Sequence, residues 1–264
     1  MSESKFKYIY GPVYSWRLGM SLGIDPVTAQ KKICNYDCVY CQLGRTTKFY
    51  TEREDFVRVD DIMGEISALP PGRIDYYTFS GRGEPTLAKN LGPMITSVKD
   101  QTGGKVAVIT NAALIGQKDV QDDLMAADLV LAKLDACDDE SLAAVDIPAR
   151  GIRFRDIVDG IKMFRKRYAG RLALQIMFIE ENKQFAQGIA GVAREIGADE
   201  IQINTPLRPG GTPLKEEELT RIKEHFKDLP ALTVYEAERH TIQPFDDQAT
   251  ILRHGNFKKQ SKSK

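Results

Sequence analysis

Apolar and β-branched residues gather in six short runs, at residues 18–24, 74–80, 105–110, 128–134, 172–179 and 200–204. Runs of this length and composition predict strands. The stretches between them have helical spacing instead, at 59–69, 88–101, 117–126, 154–168, 183–196 and 215–227. In 154–168, Ile157, Ile161 and Phe164 fall at i, i+4 and i+7 with arginines and lysines opposite, which predicts one buried helical stripe. Strands alternating with helices imply βαβ units and a parallel sheet. Right-handed crossovers then bring every strand C-terminus to one rim. Six such units predict an α/β fold, a partial (β/α)6 TIM-like barrel with a short C-terminal extension. One barrel unit is expected over residues 1–256, with 206–256 capping its open side. The run FKKQSKSK at 257–264 reads as a disordered basic tail.

Composition narrows the class of protein. The chain has 264 residues, 42% of them hydrophobic, enough for a sizeable core. Lysine plus arginine and aspartate plus glutamate number 37 each, so no overall charge favours nucleic acid or a membrane surface. No apolar run approaches the ~18 residues of a membrane span. The opening MSESKFKYIY lacks the apolar core of a signal peptide. A cytoplasmic protein is expected.

The four cysteines sharpen this picture. Cys34, Cys38 and Cys41 stand in KKICNYDCVYCQLG with C-x3-C-x2-C spacing, and Cys137 lies apart. Clustered cysteines in a reducing compartment point to metal rather than disulfides. Soft thiolates on one loop suit iron–sulfur clusters or zinc. Structural zinc wants four Cys or His ligands, and the other candidates (Cys137, His225, His240 and His254) are far away in sequence. A [4Fe–4S] cluster bound through three cysteines keeps one iron open to an exogenous ligand.

C-x3-C-x-aromatic-C, with Tyr40 as the aromatic residue, resembles the cluster loop of the radical S-adenosylmethionine (SAM) superfamily. GPVYSWRLGMSLGIDP before it and QLGRT after it are similar to a branch related to wyosine-type, tRNA-modifying members. The match runs from about Gly11 to about Pro209. It implies a barrel holding a [4Fe–4S] cluster on Cys34, Cys38 and Cys41. It also implies SAM chelated at the open iron and cleaved by one electron, from a donor such as flavodoxin or ferredoxin, to a 5′-deoxyadenosyl radical. Tyr40 takes the position that contacts adenine, where a flat ring packs on a purine at low entropic cost. Three departures stand out. Trp16 breaks the family's SRRLG, although Arg17 is expected to pack near the cluster. GRGEP replaces a GGE-type loop, and the extra cluster cysteines of wyosine synthases are missing.

Ligands of α/β barrels bind at the C-terminal strand ends, so polar residues there are the remaining candidates. Strand 74–80 ends at Ser80 and runs into Gly81, Arg82, Gly83 and Glu84, the loop the resemblance assigns to the SAM amino group. Strand 105–110 delivers Thr110 and Asn111. Alternation puts Lys133 and Asp135 on one face of the next strand, where they pair with each other or meet ligand. Gln175 with Met177 and Gln202 with Asn204 follow on the last two. A buried amide without a partner costs roughly 1–3 kcal/mol, so Gln175 needs protein or ligand to bond. Cys137 reads either as a small buried residue or, with Lys133 and Asp135, as a catalytic candidate.

The leading expectation is a radical SAM enzyme acting on a small-molecule substrate, with nucleic acid disfavoured by the neutral charge. A glycyl-radical activase working on a protein partner and a tRNA-modifying enzyme are the alternatives within this chemistry. A zinc- or cluster-binding interaction protein is the alternative outside it.

Overall fold

The computed structural model describes residues 4–29, 31–238, 240 and 242–254. The tail at 257–264 lies outside them. One sheet carries eight strands in sequence order: β1 (Ile9–Ser15), β2 (Gly19–Ile24), β3 (Tyr76–Phe79), β4 (Val106–Thr110), β5 (Leu129–Lys133), β6 (Arg171–Met177), β7 (Glu200–Asn204) and β8 (Ala231–Thr233). β1 and β2 form an antiparallel hairpin; every later neighbour is parallel. The sheet curls into a half-barrel. Its outer face is covered by α1 (Val59–Ser67), α2 (Leu91–Thr102), α3 (Lys118–Leu124), α4 (Asp139–Val145), α5 (Phe154–Arg167), α6 (Ala186–Ile196) and α7 (Glu216–Lys223), and α8 (Asp247–His254) follows.

Strand alternation divides the apolar residues between two layers. Val108, Val130, Leu174 and Ile203 face outward and join Ile95, Ile161 and Phe164 of the helices in the main core. Ala107, Leu129, Leu131 and Ala173 face inward, where Leu18 completes a small separate cluster. The interior is therefore apolar at its floor and lined by longer polar side chains toward the strand C-termini. This is the partial barrel expected from the periodicity, with the six expected strands all present.

Two strands and two helices were not expected. β1 is broken in sequence by Gly11-Pro12, a turn signal, and in space by a register shift between Tyr10 and Val13. β8 has three residues. α4 is short and held by a capping box: the Asp138 carboxylate accepts from the Ser141 backbone (2.7 Å), and Ser141 Oγ accepts from the Asp138 backbone (3.1 Å). α8 packs on β1, where Gly11 N donates to Thr250 Oγ1 (2.9 Å) and Phe245 N to Gly11 O (2.7 Å). β8 and β1 are the two edges of the sheet, so β8 and α8 are associated with opposite edges. Among the described residues no helix is long and apolar enough to cross a membrane.

Candidate functional site

The three clustered cysteines lie on the long connection from β2 to α1, and backbone pairing fixes that connection at several points. Ile33 pairs with Gly83, Cys34 with Phe49 and Tyr36 with Pro148. Cys41 N donates to Cys38 O (3.0 Å) and Gly44 N to Cys41 O (3.0 Å), so Cys38 and Cys41 stand on consecutive tight turns. Asp37 closes the loop, accepting from Thr46 N (2.6 Å) and pairing with Arg45 Nε (2.9 Å). Cys34 is buried, and Cys38 and Cys41 are half-buried. Burial and then the charge of Glu84 push the Cys34 thiol up to about 11. Burial also raises the Cys38 thiol, with Lys133 pulling the other way. Cys34 feels the charge of Cys41, and Cys38 that of Cys34, so the three sulfurs share one neighbourhood.

Whether this donor set fits a cluster is a question of arrangement. Among the described residues no three Cys, His, Asp or Glu side chains are placed to hold one metal ion. A mononuclear zinc site needs such convergence. A cubane needs a single thiolate at each of three separate irons, and three cysteines on one loop supply one each. His225 and His240 belong elsewhere: His225 O accepts from Arg194 (2.6 Å), and the His240 ring meets Tyr14 edge-on. The side chain of His254 lies outside the described residues.

The GRGEP segment follows β3 and is zipped to the residue before Cys34. Ile33 N donates to Arg82 O (3.1 Å), and Glu84 N donates to Ile33 O (2.8 Å). Gly81 has φ 148° and lies against Asp25. Glu84, Thr110 and Asn111, expected as SAM contacts, bond one another. The buried Glu84 carboxylate accepts from Thr86 N (3.0 Å), Thr86 Oγ1 (2.7 Å), Thr110 Oγ1 (2.6 Å) and Asn111 N (2.7 Å). Asn111 Nδ2 donates to Asn35 Oδ1 (2.6 Å), inside the cysteine loop. Burial raises the Glu84 pKa, and these donors pull it back down. Their side chains lock the SAM-type loop to the cysteine loop. Ser80 Oγ meets the Tyr10 hydroxyl at 2.6 Å.

On the next strands, Lys133 and Asp135 do share a face and do pair, at 3.1 Å. Lys133 also pairs with Asp146 and donates to Cys38 Sγ (3.1 Å). Burial opposes the ammonium charge, but Asp135, Asp146 and Cys38 outweigh it, so the Lys133 pKa is raised. Asp135 accepts from Met177 N (2.7 Å) and from the Tyr40 hydroxyl. Burial pushes the Asp135 carboxyl up, against the pull of Lys133. Tyr40 is thus held by its hydroxyl, with Lys133 Nζ 4.9 Å from the centre of its ring. Gln175 and Gln202 are register partners on β6 and β7; Gln175 Nε2 and Gln202 Oε1 are buried with no hydrogen-bond partner among the described residues. Asn204 Oδ1 accepts from the next backbone N–H (2.9 Å). Cys137 leads into α4 and touches Ser141, with its sulfur against Gly188 of α6; it faces the outer helices. Arg17 belongs to the β1–β2 turn, at the end of the sheet opposite the cysteine loop.

Sequence reasoning missed Asp146, Tyr10 and Arg208. Asp146 ends α4, whose capping signal Asp138-Asp139-Glu140-Ser141 was available; its contact with Lys133 was not. Arg208 sits after β7 with Nη1 3.5 Å from Gln42 Oε1, and Gly210 presses on the backbone of Cys41.

Comparison with known proteins adds to this geometry. Residues 31–187 match the family model described as the Radical SAM superfamily. A UPF0026 protein of Synechocystis sp. is 37% identical over 84% of this chain and 88% of its own. Among solved structures, Streptococcus suis SuiB bound to S-adenosylmethionine superposes with TM-score 0.58 at 16% identity, over 77% of this chain; the chain spans 48% of SuiB. TYW1 with a lysine–pyruvate adduct superposes with TM-score 0.58 at 14% identity, over 79% of this chain and 73% of that one.

Proposed function

The chain belongs to the radical SAM superfamily, and from that premise we propose that it is an enzyme holding a [4Fe–4S] cluster on Cys34, Cys38 and Cys41 and SAM beside it. Cluster and SAM held there would together supply one-electron cleavage of the sulfonium, with release of methionine, and hydrogen abstraction from substrate. The chain supplies placement. The observation that carries this reading is the zipper between Ile33 and Gly83, which fastens the three-thiol loop to the GRGEP backbone. Backbone atoms of Gly81, Arg82 and Gly83 meet the SAM amino group, and Ser80 and Tyr40 border the same space. Lys133 steadies Cys38 and, through Asp135, holds the Tyr40 ring in place. Gln175, Met177, Gln202 and Asn204 line the rim toward the substrate. Residues 1–256 form one catalytic unit in which 206–256 close the open side. The substrate is a small molecule, and a cytoplasmic flavodoxin or ferredoxin supplies the electron.

Anaerobic reconstitution tests this directly. The protein is expected to turn brown and bind about four irons per chain, and to release 5′-deoxyadenosine when given SAM and dithionite. Replacing any one of Cys34, Cys38 or Cys41 by alanine is expected to abolish both. A colourless protein with one zinc per chain and no SAM cleavage would sink the proposal.

A further inference from the structure

Lys133 ends β5 on the inward face that Leu129 and Leu131 set by alternation. Its side chain is 10% exposed and runs to the cysteine loop. There the ammonium stands 4.9 Å from the centre of the Tyr40 ring and 5.5 Å from that of Tyr36. An ammonium has three N–H bonds, and three partners meet them: Asp135 at 3.1 Å, Asp146, and Cys38 Sγ at 3.1 Å. Both carboxylates are almost wholly buried. Backbone delivers the thiol to this ammonium. Asp37 N donates to Asp146 O (3.0 Å) and Val39 N to Val145 O (2.9 Å), so the residues on either side of Cys38 are tied to the end of α4. Cys34 Sγ has neutral donors at longer range, Tyr36 N at 3.4 Å and the Asn111 side-chain amide at 3.8 Å.

A charged donor on a ligand thiolate matters because the potential of an iron–sulfur cluster depends on hydrogen bonds to its sulfurs, on net charge and on exposure to solvent. Uptake of one electron adds negative charge, and a cation 3.1 Å from a ligand sulfur favours that state. We propose that Lys133 is a tuning residue: through its hydrogen bond to Cys38 it raises the reduction potential of the cluster, and Asp146 limits the rise by drawing on the same ammonium. The inference rests on the proposed function insofar as that places a cluster on Cys38. With its three N–H bonds committed to protein partners, Lys133 acts through Cys38 on the entry of the electron rather than by holding substrate.

The experiment is a potentiometric titration of the full, reconstituted chain without SAM, so that SAM makes no contribution. The electron paramagnetic resonance signal of the reduced cluster is followed against a potential poised with dithionite and mediator dyes. Lys133→Met is expected to lower the midpoint: at a fixed poise the ratio of reduced to oxidised cluster falls about tenfold, which is ~59 mV for a one-electron couple. Lys133→Arg keeps a charged donor and is expected to fall between that variant and the wild type. Asp146→Asn removes a negative charge and leaves the ammonium to Cys38 and Asp135, so a several-fold rise in the ratio is expected. The opposite signs separate tuning from packing. A lysine that only packed the loop would admit water when lost, and water favours the more negative state, which moves every such variant upward. A midpoint for Lys133→Met at or above that of the wild type, or shifts of Lys133→Met and Asp146→Asn in one direction, would overturn the inference. Should Lys133→Met assemble no cluster, Asp146→Asn decides: a rise supports the inference, and no change or a fall overturns it. Iron content and absorbance of the wild type report on the proposed function separately, so a chain that loads its cluster but keeps one midpoint in all variants refutes this inference alone.

Discussion

A methyl group added to Gly83 would stand 1.7 Å from the carbonyl oxygen of Ile33. No side-chain rotation relieves this, because the obstacle is backbone, and that backbone leads directly into Cys34. Gly83→Ala is therefore expected to destabilise the protein by about 1–3 kcal/mol and to lower iron retention with it. Gly64 on α1 has nothing within 4 Å and is the control: Gly64→Ala is expected to be neutral or slightly stabilising. Equal iron content and equal denaturation midpoints for the two variants would show that the zipper is dispensable. The thiols allow a second prediction. Cys34 is held up to about 11 and Cys38 is raised as well, so each must shed a proton to become a ligand. Lower pH favours the protonated, non-ligating thiols and higher pH the thiolates. Iron occupancy at limiting iron is expected to rise from about pH 7 to about pH 9, measured by absorbance of the reconstituted chain. A flat profile would mean that the thiols ionise more easily than their burial dictates.

Elements far apart in sequence meet at the C-terminal helix. Arg253 of α8 is 2% exposed and pairs with Asp25 at 3.0 Å, itself fully buried at the end of β2 against Gly81. Its guanidinium also donates to Lys7 O, and its backbone oxygen accepts from Gln42 Nε2 (2.7 Å), beside Cys41. α8 thus braces both the SAM-type loop and the cysteine loop. Arg253→Met leaves the Asp25 charge buried and alone, so a loss of roughly 3–5 kcal/mol is expected by chemical denaturation. Faster amide exchange across residues 37–46 is expected to accompany it. A loss under about 1 kcal/mol would mean that Asp25 finds another partner or takes up a proton. Nothing local announced this brace. The strands and helices that were legible carry their own period, as Ile157, Ile161 and Phe164 do. β1 hides behind Gly11-Pro12, and α8 is one short amphipathic stretch whose partner is the first strand. The cysteines were legible because their chemistry is local to one loop. The Lys133–Asp146 pair and the Glu84 knot were not, because they exist only once β-strands are set side by side.

The charge of the whole molecule bears on the size of what it handles. Acidic and basic residues balance at 37 each, and they also balance locally over the outer helices. Arg153 pairs with Asp156, Lys162 with Glu195, Arg165 with Asp199 and Arg194 with Asp228. Each such pair is worth little to stability, but together they leave little uncompensated positive charge on those faces to track a phosphate backbone. The compact basic stretch in the sequence is 257–264, outside the described residues. A polyanion needs an extended basic surface, whereas a small substrate does not. The chain is expected to bind bulk tRNA weakly, with an affinity that changes less than about tenfold between roughly 50 and 200 mM salt, and SAM cleavage is expected to survive deletion of residues 257–264. Proteins making many phosphate contacts lose about a thousandfold or more over that range. Filter binding across the salt series decides the matter. A steep slope would show that phosphate contacts dominate after all, and would restore the tRNA-modifying alternative.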